Sequence, residues 1–473
     1  MRDAVKDQHE ADALGVEDRR VGETGDDGVV RLFRCPRVPE DASVAERLAL
    51  IAGMAPVHRV IGLPDIHLKP KLESPSSTAI ASRGALCPQL SSPSPNCGMA
   101  LLALDLPAAD VLARRDELFQ VLREVVPMKR SPYSLTEGDA LRAIREGAGF
   151  TASWARDLDL AAERVDDDGR LLLPLDGELP AILSPRLRRV AAADYGALGG
   201  GNHFLELEEV ADVVDAAAAH AYGLAEGQAV VLFHTGSGMF GYEVGRLYSH
   251  RRKISPKYLP RILARKAVFH AARGEGWAAR RRRWDLFVRP RAYAWVDEDS
   301  DEGLELVTAL HAAMNFGYAN RSAVAAAVAS AAVAVFGDCG VRLIHDSCHN
   351  SITHHDGVWI HRHNATRAER GPDGLGAPIL LPGLDRSSSY VLRPGMGATE
   401  SLQSVDHGAG GAVTALGTPL EGGPTTVRYR FGGAIEEVEH LSDDGLECVA
   451  DSLERADLAR RVVRTRPLAV LKE

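Results

Sequence analysis

The chain has 473 residues, 45% of them hydrophobic and 5% aromatic, with a formal charge of −10 and an isoelectric point near 6.0. A chain of this length and composition buries a large aliphatic core, and length alone would divide it into two or three domains. The acidic balance excludes a protein whose whole surface binds nucleic acid, so any such binding needs a local basic patch. No stretch is apolar over the uninterrupted length needed to cross a bilayer, so no membrane partner is expected. The opening MRDAVKDQHEADALG is charged and has no apolar leader, so the expected location is cytoplasmic. Six cysteines stand at irregular spacings with no CxxC pair, and a disulfide framework is not expected.

In chain order, residues 1 to about 30, with GETGDDG, read as a flexible segment ahead of a folded unit over 31–473. PDIH carries Asp65 and His67. SSPSPNCG is rich in proline and serine and reads as loop, which suits Cys97 as a metal ligand better than as a core residue. LGGGNHFLELEE sets Asn202, His203 and Glu206 directly after three glycines. That segment alone supports either a site or a tight turn whose histidine is a satisfied core residue. VADVVDAAAAHAYGL reads as a helix, and GQAVVLFHTG as a strand ending in His234.

Residues 245–292 are basic: HRRK at His250 to Lys253, then Lys257, Arg261, Arg265 and Lys266, then Arg280 to Arg283 followed by Trp284 and Phe287. They form a basic elaboration or a solvated helix face. RSAVAAAVASAAVAVFG reads as a packed helix stopped by Gly337. VRLIHDSCHN reads as a strand leading to His349, with Cys348 a buried small hydrophobe, and VDHGAGG carries His407. The pattern is that of an α/β (α+β) protein with its motifs on loops between elements. Imidazoles recurring beside glycine or in polar turns suit ligands converging on an ion, and an imidazole and thiolate shell accepts zinc, manganese or iron.

These motifs, together with MNFGYANR, IHRHNATRA, SSYVL and the terminal RPLAVLK, fall in an order that resembles the RtcB-type RNA ligases, which join RNA ends using GTP and manganese. The resemblance implies a single large catalytic fold with motif loops at strand ends around a central metal site. It implies one or two manganese ions held by Cys97, His203, His234 and His349, with the thiolate between them. His407 matches the histidine that takes GMP from GTP, and Asp65 a carboxylate that holds the other nitrogen of that ring. Asn202, Glu206, Ser389, Gly408, Ala409, Gly410 and Lys472 fall at nucleotide-contacting positions, Glu206 reading the N1 and N2 hydrogens of guanine. Without the resemblance Lys472 reads as a solvated tail residue. The implied substrates are RNA 3′-phosphate or 2′,3′-cyclic phosphate ends and 5′-hydroxyl ends, with an archease-like activator as a further partner.

The chain also departs from that pattern, and the departures gather on the substrate side. Ser94, a neutral and much weaker ligand, replaces an aspartate three residues before Cys97, leaving the His203 ion short of charge. Gly238 and Gly411 replace arginines, His363 replaces a lysine, and Asp406 puts a negative charge where the family has a cysteine. The PDIH segment continues as LKPKLESPS where glycines are expected. Loss of bidentate guanidinium contacts weakens phosphate binding. Altered or reduced ligation is therefore expected, and two other readings stand beside it. One is a divergent paralogue that binds RNA ends or nucleotide without sealing, the other a metal-dependent phosphatase or nucleotidyltransferase.

Overall fold

Continuous aliphatic runs such as MALLAL and AVVLF can bury both faces of a sheet, and in the computed structural model they do so. It describes residues 28–39, 41–70, 72–155, 158, 160–249 and 257–473. The largest sheet has nine strands; its main path runs Ile379–Leu381, Ser389–Pro394, Ala459–Lys472, Phe204–Val213, Gln228–Thr235, Gly98–Pro107 and Val341–Cys348. Thr425–Arg430 lies parallel to the strand Ala459–Lys472 and pairs on its other side with Ile435–Glu439. A second sheet of five strands runs Val30–Leu32, Val57–His67, Ser76–Ser82, Val358–His363 and Asn350–His355.

The two sheets meet at one residue, because Val341–Cys348 belongs to the first and Asn350–His355 to the second, leaving His349 at the seam. Against them packs a 36-residue helix, Asp301–Phe336, whose N-cap Ser300 accepts from the Gly303 amide. The alanine stretch after Arg321 is its second half, and Gly337 ends it. The helix is long and apolar enough to cross a membrane by composition, yet 78% of its apolar window is buried inside the protein. Its small residues let the helices Arg115–Val125, Glu137–Glu146 and Gly238–Tyr248 approach closely.

Two expectations are corrected. Val210 to Val213 continue the strand Phe204–Val213, and only Ala216–Tyr222 is helical. The β-branched first half finds a partner strand, Val213 opposite Val463, and long-range pairing overrides the alanine-rich continuation. Cys35 and Cys448 form a disulfide across a separation of 413 residues, bonding the start of the chain to the helix Asp444–Arg455. Cys348 is buried in the main core, as its small apolar side chain suggests. The proposed flexible N-terminus lies outside the described residues as far as 27, and Val30 already begins a strand.

Candidate active site

Strand register brings the sequence-remote imidazoles together. His234 lies opposite Phe204 on one side and Met99 on the other, and Gly98 lies opposite both Thr235 and Cys348. Cys97, His203, His234 and His349 therefore emerge at one end of four neighbouring strands. Backbone hydrogen bonds extend the row: the His349 amide donates to the Cys97 carbonyl and the Ala365 amide to the His349 carbonyl, each at 3.0 Å. Ala365 in turn pairs with Asp406, next to His407.

The side chains converge accordingly. Cys97 Sγ lies 3.1 Å from His234 Nε2 and 3.3 Å from His203 Nε2. Ring centroids are 4.9 Å apart for His234 and His349, and 4.4 Å apart for His349 and His407. The ligand atoms of Cys97, His234 and His349 all lie within 4.8 Å of one another, a buried group that could hold a metal ion. His203 touches the sulfur from outside that group. Ser94 is half-buried and its amide bonds Ser92 Oγ at 3.3 Å, so it supplies no carboxylate on the His203 side.

Electrostatics suit a cation. Burial opposes ionisation of the Cys97 thiol, yet the imidazoles of His234 and His203 bring it well below its ordinary range. His203 donates from Nδ1 to the Leu198 carbonyl at 2.8 Å, which turns Nε2 toward the sulfur, and although burial opposes it the thiolate raises the His203 pKa. Burial pushes His349 down to about 4. Burial, aided by His349, His234 and Lys69, holds His407 well below its usual value, which favours the uncharged ring. Nδ1 of both His349 and His407 is buried without a hydrogen-bond partner, which leaves lone pairs or protons for a ligand to satisfy. Gly199 has φ +91°, and a Cβ there would press on the His203 ring.

Asp65 corrects an expectation. Its carboxylate accepts from the amides of Gly411 at 3.2 Å and Ala412 at 2.7 Å, and it does not hold the His407 ring. A Cβ on Gly411 would stand 2.7 Å from Asp65 Oδ1, so the missing arginine and the backbone-bound carboxylate go together. Gly238 repeats the arrangement. A Cβ there would stand 3.0 Å from Asp194 Oδ2, which accepts from the Phe240 amide at 3.0 Å. Asp406 is also corrected: burial, with Asp65 adjacent, pushes its carboxyl well above the carboxylate range, favouring a neutral acid over an added charge. His363 is buried with Nδ1 2.9 Å from Ser74 Oγ.

The nucleotide candidates form a second cluster, joined to the first through Pro382. Its carbonyl accepts from the Ala409 amide at 2.9 Å, and the next residue, Gly383, donates to Ser389 Oγ at 3.4 Å. Gly408 packs on Pro382, Ala409 is buried, and Gly410 opens the short helix Gly410–Leu416. Ser389 Oγ donates to Glu208 Oε1 at 3.2 Å. Glu206 is buried, its Oε1 has no hydrogen-bond partner, and burial beside Glu208 and Asp385 raises its pKa well above the usual range. Lys472 is not a free tail residue: Nζ lies 3.2 Å from Asp385 Oδ2. Asn202 is exposed on the turn before His203.

Three site features escaped the sequence reading. Arg321, fully buried, bonds Asp346 at 2.6 Å, Asn96 Oδ1 at 2.8 Å and the Asn96 carbonyl at 3.1 Å, fixing the residue before Cys97. Its position in the apolar helix, where a lone cation must find a partner, was the available signal. Lys69 is half-buried, and burial lowers its ammonium pKa against the opposing pull of Cys97 and Asp65, a cation where the departing LKPK segment replaces glycines. The basic elaboration is partly internal. Arg283 and Arg273 pair with Glu305, at 3.0 Å for Arg283 Nη1 and 2.8 Å for Arg273 Nε. Burial opposes it, but these arginines hold Glu305 down to about 2. Lys266 is buried, so neither a fully solvated face nor a fully RNA-facing one describes the region. HRRK lies outside the described residues.

Comparison with known proteins agrees with this geometry. Residues 47–473 match the family described as RtcB, tRNA-splicing ligase RtcB. The chain is 30% identical over 424 residues to the tRNA-splicing ligase RtcB of Pyrococcus furiosus, covering 80% of this chain and 40% of that protein. It is 29% identical to that of Thermococcus kodakarensis over 80% of each chain, and 27% identical to that of Pyrobaculum aerophilum over 87% of each. The chain thus spans less than half the length of the Pyrococcus relatives it matches, at 40%, 44% and 42%. With the family match running through every strand of the large sheet and every member of the thiolate and imidazole group, the chain belongs to the RtcB family.

Proposed function

We propose that this chain is a GTP- and metal-dependent RNA ligase that joins 3′-phosphate or 2′,3′-cyclic phosphate ends to 5′-hydroxyl ends. The observation that carries it is the His407 ring with its centroid 4.4 Å from that of His349, itself part of a buried group able to hold a cation. Cys97, His234 and His349 would hold a divalent ion such as manganese, with His203 available to a second, and bound there it would polarise phosphoryl oxygens. His407 attacks the α-phosphorus of GTP and the bond to pyrophosphate breaks, leaving GMP on the ring. The GMP passes to the RNA 3′-phosphate, and the 5′-hydroxyl then attacks that phosphate and expels GMP. Glu206 accepts from the guanine edge, with Ser389, Asn202 and Lys472 as further nucleotide contacts. Asp65 acts by bonding the amides beside His407, fixing the loop that carries the ring. An archease-like activator belongs to the same reading.

Lys69 takes the phosphate role left by the arginines absent at 238 and 411. Lys69→Ala is expected to lower kcat/KM for joining by about ten- to a hundredfold, the value of one hydrogen bond to a charged group, while metal content by elemental analysis stays unchanged. An unchanged kcat/KM contradicts that role. The function itself is tested by incubating RNAs with 3′-phosphate and 5′-hydroxyl ends with the protein, GTP and manganese. A joined product that requires all three supports the ligase. Binding of the RNA without product supports a non-sealing paralogue, and release of inorganic phosphate supports a phosphatase.

A further inference from the structure

The helix Gly276–Arg283 and the turn that follows it present an unusual stripe to solvent. Trp277, Arg280, Arg281 and Trp284 stand at i, i+3, i+4 and i+7, the spacing that normally faces a core. Here Trp277 is 80% and Trp284 50% exposed. Arg282 and Arg283 turn the other way, onto Glu302 and Glu305. Among the described residues, Arg280 bonds only the Gly274 carbonyl, at 3.2 Å, and Arg281 has no ion pair. The four side chains of the stripe line one depression of about 540 Å³. Exposed tryptophans beside guanidinium groups present ring faces on which bases stack and donors for the phosphates between them.

The surroundings give the stripe a direction. A second cleft of about 580 Å³ is lined by Arg186 and Arg261, and by Arg246 and Arg265, which pair with Glu243 in the same lining, on the flank of the helix Gly238–Tyr248. That helix begins three residues after Thr235, at the strand end that holds His234. On a chain of net charge −10, the cleft and the stripe thus both carry guanidinium groups, and the consecutive residues Lys266 and Ala267 line one and the other. We propose that Trp277, Arg280, Arg281 and Trp284 form a stacking platform for the single-stranded flank of an RNA whose end lies at His407. This rests on the RNA-end reading of that site, and it adds a binding surface that reads length and strandedness without base sequence.

The test uses fluorescence anisotropy with the full chain and 3′-phosphorylated single-stranded RNAs of about 20 and about 4 nucleotides, one longer than the roughly 4–16 nucleotides of a stacking groove and one at its lower limit. Trp277→Ala/Trp284→Ala and Arg281→Glu are each expected to weaken binding of the long RNA by at least about tenfold. Binding of the short RNA, covalent labelling by GTP and the thermal midpoint should stay at wild-type values, since these side chains are exposed. Wild-type binding of the long RNA by both variants overturns the platform while leaving the RNA-end reading standing. So does sedimentation in which the wild type is a dimer and the tryptophan variant a monomer, which would make the stripe a self-association surface. If the wild type binds neither RNA, the RNA-end reading fails and the platform with it.

Discussion

Cys97→Ala is expected to strip the protein of its divalent ion and abolish RNA joining. The sulfur is the one anionic donor in the group, touching both His234 and His203, and its loss leaves neutral imidazoles facing a cation. Charge and ligand count fall together, so affinity should drop by well over the ten- to hundredfold typical of removing a supporting contact, on the order of a thousandfold or more. Cys97→Ser separates ligation from packing, because it keeps volume and a hydrogen bond but offers no thiolate. Elemental analysis after dialysis should find both variants metal-free, and added manganese should raise the melting temperature of the wild type alone. Full stoichiometry in either variant contradicts the ligand assignment.

The second large effect is on stability. Arg321→Met is expected to destabilise the fold by about 3–5 kcal/mol, the loss when one partner of a buried ion pair is removed. That is a large share of the roughly 5–15 kcal/mol that holds a domain folded. Arg321 is fully buried and Asp346 lies 2.6 Å from its Nε, so the substitution leaves an unpaired carboxylate in the core. It also releases Asn96, whose φ of +51° the guanidinium helps hold through two hydrogen bonds directly before Cys97. Arg321→Met/Asp346→Leu should therefore recover most of the stability in urea titration without recovering metal affinity. A single variant within about 1 kcal/mol of wild type would show that the pair contributes no more than an exposed one.

The parts legible from the sequence were those written locally. Apolar runs ending in His234 and leading to His349 are strands, and the proline-rich segment before Cys97 is loop. Whether His203 was a site or a turn residue could not be decided locally. Its position depends on the register Phe204 opposite His234, set by strands that lie far apart in sequence. Asp65 was recognisable as a polar residue near the site, but its choice of the Gly411 and Ala412 amides, the first of them 346 residues later, follows from where the helix Gly410–Leu416 begins. The burial of Arg283 needed Glu305 from another helix, and the Cys35–Cys448 bond joins opposite ends of the chain. Long-range pairing, absent from any local window, settled each of these.

The central claim is that the buried thiolate and imidazole group and His407 form one reactive centre. It is tested most directly by incubating the protein with GTP labelled at the α-phosphate and with manganese, then resolving it on a denaturing gel. Covalent label is expected on the wild type, with none on His407→Ala and none on Cys97→Ala. Equal label on His407→Ala, or no label on the wild type with any divalent metal, would contradict it.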